Sequence, residues 1–517
     1  MRRFLRFALG FLAAAAWFSL LISWTGFTDP DVFYHAKMGL LIWQHGPVMA
    51  FPQLDLTYLG MHFADLHFLF HVLLAPFVAM FGLFNGARIV AVLLCAIFLL
   101  VFYACLRWLK IPYAFWWAVL LAFTQPFLVR MLLGKATPLA VLLFILGLTA
   151  LWKRRPWLVA LVTMAYALSH GGWTYLAGSC VLLTCGEIVY RHVVLDFSWR
   201  AALERSPWRE TVASFAGAFV GLLVHPNFPN VFLLSWVENV VIGLGTPFQH
   251  VVLGNEWLPT DPGALISSFA AWAVFIIVGL GGLLLAPRKP LDHGRARFLT
   301  SISLILAVLM ALTLKSRRNV EYLAPVVAVW CAALWSLIDL SAFWHEVKEN
   351  TRGIPQGIRR FLLVTCALLV CFLVVRGPWE AYSALHPSTL PDNSYQAAMH
   401  PISVLASPGD RVFHSSWDEF PVLFAIDDRL RYISGYDPTM LYIASSTLSD
   451  QVRDVTSGAT TTTQAAAWSL IHDELHSRFV FITKPSHLMF YNLVDSDDRY
   501  HVLYDSSDTA SFEIMDP

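Results

Sequence analysis

Eleven apolar runs set the terms for this chain, at residues 4–24, 86–106, 113–131, 138–152, 156–169, 173–190, 211–225, 264–286, 298–314, 322–340 and 361–376. A helix needs about 20 predominantly apolar residues to cross a bilayer core, and these runs reach or approach that length. With a hydrophobic content of 57%, a charged content of 14% and a mean hydropathy of +0.60, they predict an all-α polytopic membrane protein of about eleven spans. The formal net charge is zero, and basic residues lie between apolar runs rather than on one face, so nothing signals a nucleic-acid partner. All seven cysteines lie in or beside apolar runs. No disulfide framework or zinc spacing is present.

The first run opens on Arg2, Arg3 and Arg6 and lacks a small-residue cleavage site. It reads as an uncleaved span with a cytoplasmic N-terminus. Residues 66–82 are long enough for a short span but carry His67, His71 and Pro76. Charge decides against a span there. Left on the outer surface, the stretch puts twenty Lys and Arg inside, Arg288 and Lys289 among them, against seven outside before Arg376. Counted as a span, it gives nine inside and eighteen outside. The positive-inside rule favours the first arrangement. A first outer loop over residues 29–85 then holds two interfacial helices, around Asp31 to His45 and Asp65 to Gly82.

Past Gly377 the apolar runs shorten, and Asp, Ser and Thr rise. Strands are predicted at RVFHS, LRYISG, RFVFIT and HVLYD, with helical stretches near 438–456 and 462–475. The expected organisation is a transmembrane domain over 1–376 and an extracytoplasmic α/β domain over 377–517.

Asp29 and Asp31 stand just outside the first span. Two carboxylates at that spacing can bind a hard cation, Mg2+ or Mn2+, or one can act as a base while the other shapes its pKa. The same DPDVF string also suits a helix N-terminus, with an Asp cap and Pro30 in the first turn. Lys315, Arg317 and Arg318 run against the positive-inside trend in one tight turn, with Arg130 and Lys135 at the same level. Such cations suit a phosphate or pyrophosphate, or else snorkel to lipid head groups. Glu321 is placed to pair with Arg318 on one helix face. His35, His62, His67, His71, His170 and His225 are either ligands or polar residues bonding across the bundle. Asp55 and the Glu256-Trp257 pair are loop candidates for sugar hydroxyls, with Trp257 stacking on a sugar face, or are ordinary turn chemistry.

Asp31, Phe33, Tyr34, His35 and Lys37 follow a D-x-[YF]-Y-H-x-[RK] pattern. It resembles the opening of the first outer loop in oligosaccharyltransferase catalytic subunits and related GT-C glycosyltransferases. The resemblance extends to a long first loop with two surface helices, a many-span bundle and a C-terminal outer domain. It implies that Asp31 is catalytic. Two departures stand against peptide glycosylation and leave metal dependence open. VRMLLGKATP offers Arg130 and Lys135 where acidic ligands are expected, and the acceptor-reading Trp-Trp-Asp motif is reduced to Ser416-Trp417-Asp418.

The reading that results is a membrane glycosyltransferase, expected in a bacterial inner membrane with its C-terminal domain outside. Its donor is a polyprenyl-phosphate-linked sugar, with Asp31 as base and Asp29 in support. Arg317, Arg318, Lys315, Lys135, Arg130, His35, Glu256 and Trp257 are the substrate-binding candidates. The rivals are a transporter or flippase for a lipid-linked saccharide, and a scaffold that keeps the fold without chemistry. No internal symmetry of the transporter kind is visible.

Overall fold

A computed structural model of the chain describes residues 2–25, 28–243, 251, 254–285, 293–386, 392–458 and 462–515. Arg288 and Lys289 lie outside them. Among the described residues, four helices are long and apolar enough to cross a membrane: Leu5–Trp24, Leu83–Trp108, Arg297–Lys315 and Gln356–Leu385. Two further pairs are bent, Ala114–Ala122 with Gln125–Met131 at 69° and Pro262–Ser268 with Ala270–Leu284 at 76°. Counting each pair as one span gives up to six. Other predicted runs are shorter as built. Thr137–Trp152 and Pro156–Ser169 have 16 and 14 residues, so they reach only about 24 and 21 Å.

The first bend has a local cause. Pro126 follows Gln125 at the start of the second arm, and a proline there has no N–H to donate to the Ala122 carbonyl, so the first arm cannot continue through it. Thr124 is extended, and its Oγ accepts the indole N–H of Trp272 at 2.8 Å.

By internal contacts the chain divides into two compact units. One comprises Met1–Gly26, Ala91–Leu222 and Asn255–Ser388, and the other Phe27–Val90, Leu223–Gly254 and Thr389–Pro517.

In the first unit, the helix Trp208–Leu223 lies close against Pro156–Ser169 because Gly217 and Gly221 present no side chain. A Cβ at Gly217 would stand 2.1 Å from the Ala160 carbonyl oxygen, and one at Gly221 2.7 Å from that of Met164. This is the small-residue spacing that lets membrane helices approach. Thr163 and Ser214 hydroxyls meet at 3.2 Å in the same contact. Glu187 is buried and paired with Arg154, Arg191 and Arg297.

The second unit contains a five-stranded sheet: β1 (Arg411–His414), β2 (Arg431–Tyr432), β3 (Phe479–Thr483), β4 (Tyr500–Asp505) and β5 (Thr509–Ile514). The order is β2-β1-β3-β5-β4. β1 runs parallel to β2 and β3, while β5 is antiparallel to β3 and β4. Phe413, Val480, Ile482 and Phe512 share a core with Leu441 and Phe490 from the covering helices. The four strands read from sequence are present. β5 was not predicted, although TASFEI alternates polar and apolar residues as a strand does.

Two helices of the first loop belong to this unit, Asp31–His45 and Phe68–Phe81. They pack on each other at Gly39, where a Cβ would sit 3.3 Å from Leu74. An aromatic cluster joins them to the helix Phe420–Ile426, with Tyr34 and Phe51 at 6.0 and 5.2 Å from Phe424. Ion pairs add to it. Lys37 meets Asp428 at 3.0 Å, and Asp55 meets Arg411 and Arg431 at 2.8 and 3.0 Å.

Candidate active site

The helix Asp31–His45 starts where sequence analysis placed it, and its cap is Asp29. Asp29 Oδ1 accepts the backbone N–H of Asp31 at 3.0 Å, and Pro30 enters the first turn at φ −62°. Asp31 is thus the first helical residue rather than the cap. Both acids are half-buried.

One turn further, His35 shares the helix face with Asp31. His35 Nδ1 lies 2.7 Å from His71 Nε2, and His71 Nδ1 lies 2.7 Å from Asp65 Oδ2. Asp65 is fixed in turn. Its backbone N–H donates to Asn227, its carbonyl faces His225 Nε2, and its Oδ1 accepts the N–H of His67. Burial alone would raise the Asp65 pKa, but the charge and hydrogen bond of His71, with help from His67, hold it below the usual carboxylate value. Tyr34 goes the other way. Burial first, then the charges of Asp65 and Asp31, keep its phenol protonated far above its ordinary range. These contacts speak against zinc, since both ring nitrogens of His71 already have partners. The Asp65, His67, His71 spacing serves a buried hydrogen-bonded chain instead.

The expected cations lie in the other unit. Arg130 donates through Nε and Nη2 to Glu321 at 2.9 and 2.7 Å, and through Nη1 to Glu256 at 2.7 Å. Lys135 meets the second oxygen of Glu256 at 3.0 Å. Burial would raise the Glu256 pKa, yet Lys135, Arg130 and Arg318 outweigh it and hold it well below the carboxylate range. Glu321 pairs with Arg130. Arg318 lies over the ring of Trp257 at 4.3 Å, a cation–π contact that covers one of the faces expected to take a sugar. The turn at 315–319 is laced to the loop before it. Arg317 N–H donates to the Leu258 carbonyl and its Nε to that of Pro259, while Ser316 Oγ donates to that of Glu256. Lys315 and Arg317 remain exposed.

His170 belongs to this cation set. Its Nδ1 accepts the N–H of Gly172 at 2.8 Å. Burial, then Arg318 and Arg130, push its pKa down to about 3. It is neutral at physiological pH. Asp55, a candidate for sugar hydroxyls, is instead held by Arg411 and Arg431. The Ser416-Trp417-Asp418 turn is set by a capping box, with Ser416 and Glu419 exchanging side-chain bonds to backbone.

Asp29, Asp31 and His35 thus fall in one unit. Arg130, Lys135, Glu256, Trp257, Lys315, Arg317 and Arg318 fall in the other. Sequence reasoning missed the Arg130–Glu321 pair, 191 residues apart. The available signal was Glu321 itself, since an acid inside an apolar run demands a partner.

By sequence, no family model and no curated protein matches the chain. Solved structures do. The archaeal oligosaccharyltransferase AglB from Archaeoglobus fulgidus, in complex with an inhibitory peptide and a dolichol-phosphate, aligns over 98% of this chain and 74% of its own at TM-score 0.61 and 13% identity. The chain has the fold of the GT-C membrane glycosyltransferases. The mycobacterial arabinofuranosyltransferase AftD aligns over 100% of this chain and 40% of its own, at TM-score 0.58 and 12% identity. ArnT from Cupriavidus metallidurans, bound to undecaprenyl phosphate, aligns over 98% and 97%, at TM-score 0.55 and 11% identity. The GT-C fold and the long apolar helices together make this a multi-pass membrane protein.

Proposed function

We propose that the chain transfers a sugar from a polyprenyl-phosphate-linked donor to an extracytoplasmic acceptor, with inversion at the anomeric carbon. The observation that carries this reading is Asp31 itself: a half-buried carboxylate opening a helix already capped by Asp29, in a fold shared with AglB and ArnT. Asp31 removes the proton of an acceptor hydroxyl as that oxygen attacks the anomeric carbon. The bond from that carbon to the phosphate oxygen breaks, and the lipid phosphate leaves with the electron pair. Lys315, Arg317 and Arg318 supply donors for the phosphate. Asp29 and Asp31 are hard oxygen donors that suit Mg2+ or Mn2+, which when bound would polarise the departing phosphate.

The test is release of lipid phosphate from a synthetic polyprenyl-phosphate hexose by the purified full chain in the presence of an envelope fraction. Movement of the intact lipid-linked sugar across proteoliposomes without its cleavage would favour the flippase reading. The proposed setting is a bacterial inner membrane, N-terminus inside and the 29–85 loop and residues 377–517 outside. Cysteines placed at Asn85, Glu204 and Ser446 check it. Outside-only labelling at Glu204 would overturn the topology.

A further inference from the structure

Within the first unit, the helices Trp173–Val193 and His293–Lys315 pack on each other. Tyr175, near the start of one, donates to Asn319, just past the end of the other, so the two run antiparallel. They approach at Gly186, where a Cβ would sit 3.3 Å from Leu304. Beside that contact lies a cleft with about 420 Å3 of open space. Leu183 and Leu304 give it an apolar end, and Glu187, Tyr190, Arg297 and Thr300 a polar one.

The charges around the polar end do not balance. Glu187 is shared by Arg154, Arg191 and Arg297 at 3.0, 3.4 and 3.2 Å, and Glu210 lies 3.6 Å from Arg154. Three arginines against two glutamates leave one positive charge. Donors are in surplus too. Arg297 meets Glu187 through Nε, and among the described residues its Nη1 and Nη2 have no hydrogen-bond acceptor. Arg191 Nε is buried without a hydrogen-bond partner. The Arg297 side chain is 30% exposed and forms part of the cleft wall, so its outer edge presents a fork to an anion. Arg297 also opens the apolar span Arg297–Lys315, which sets the cleft at head-group depth.

We propose that this cleft binds one anionic phospholipid of the phosphatidylglycerol type, its phosphodiester on Arg297, its head-group oxygens at Tyr190 and Thr300, and an acyl chain along Leu183 and Leu304. Such a phosphodiester carries a single negative charge and neutralises the surplus. Inorganic phosphate or a phosphomonoester brings nearly two. A choline or ethanolamine head adds a cation, and both acids of the cluster are already paired. Basic pockets between membrane helices are a known setting for anionic head groups. The site is independent of the glycosyltransferase reading and needs only the membrane.

Native mass spectrometry of the full chain, released from detergent after titration with dioleoylphosphatidylglycerol, tests the site. Tighter binding of one phosphatidylglycerol than of dioleoylphosphatidylcholine is expected. Arg297→Gln leaves Glu187 with Arg154 and Arg191 and should weaken that binding about tenfold. Thr300→Trp fills the cleft without touching an ion pair and should do the same, which carries the test should Arg297→Gln not fold. Arg200→Gln, at an arginine 91% exposed on the helix Trp199–Arg205, should leave binding unchanged. Equal affinity for the two lipids, no loss in either cleft variant, or the same loss in Arg200→Gln would overturn the proposal. Competition separates the sources of a phosphate. Excess inorganic phosphate should leave the bound phosphatidylglycerol in place, and undecaprenyl phosphate should displace it less well than further phosphatidylglycerol does. Displacement by inorganic phosphate, or stronger displacement by undecaprenyl phosphate, would give the cleft to those anions and overturn the phospholipid.

Discussion

Asp29 Oδ1 accepts the backbone N–H of Asp31 at 3.0 Å. On the proposed reading the two acids divide capping from chemistry, and their variants should separate. Asp31→Asn should leave the fold intact and lower turnover about 100-fold or more, the scale of losing a general base. Asp29→Asn keeps most of the cap and should cost little activity. A larger loss there that added Mn2+ partly restores, with EDTA abolishing wild-type turnover, would mark a metal held by both. Steady-state release of lipid phosphate reads each outcome, and a fully active, well-folded Asp31→Asn would remove the base assignment.

Glu256 occupies Arg130 and Lys135, which makes it a competitor of any phosphate those cations could take. Glu256→Gln should tighten undecaprenyl phosphate binding, whereas Arg318→Ala should weaken it, each on the order of tenfold. Arg154→Ala, whose side chain already serves Glu187 and Glu210, should leave it unchanged. Equal, small effects at Arg318 and Arg154 would point to ordinary head-group contacts.

Glu419 gives the sheet-bearing unit a pH dependence. Its carboxylate is 2% exposed and accepts from Ser415, Thr483 and the Ser416 N–H, with His414 at 3.5 Å. Burial would raise its pKa, but His414 first, then the two hydroxyls, bring it below the ordinary 4.5. A carboxylate depressed in the folded state stabilises fully above its unfolded value and loses that contribution as pH falls through the folded one. Glu419→Gln should therefore lower stability by about 1.5 to 3 kcal/mol near neutrality. The gap to wild type should close as pH falls below the ordinary carboxylate value and through the lowered folded one, in thermal unfolding followed at several pH values.

Gly217 marks the tightest helix contact described above. Gly217→Ala brings a methyl to 2.1 Å from the Ala160 carbonyl oxygen, and relief requires a backbone shift. A cost of about 1 to 3 kcal/mol is expected, measured as a lower unfolding midpoint in detergent. Gly178→Ala, with open space around its Cβ position, is the control and should be nearly neutral.

Local signals carried much of this architecture. The DPDVF string announced the start of the helix Asp31–His45, and short apolar runs announced four of five strands. The apolar runs announced the membrane class, while their number did not translate into an equal number of long helices, because several end early at Pro, Gly or a bend. What stayed hidden was pairing at a distance. Asp55 read as a loop acid until Arg411 and Arg431 met it, and His71 read as a ligand candidate until Asp65 and His35 took both its nitrogens. One-dimensional spacing shows which groups need partners, not which partners they find.

The bond from Arg411 to Asp55 joins residues 356 positions apart. At about 5 to 20 residues per second, a growing chain holds the first loop for roughly 20 to 70 s before its clamp exists. During that interval the helix bearing Asp31 has neither the sheet nor the Phe420–Ile426 helix to pack on. Translation order alone therefore leaves the helix of the proposed base without these packing partners until Arg411 and Arg431 have been added.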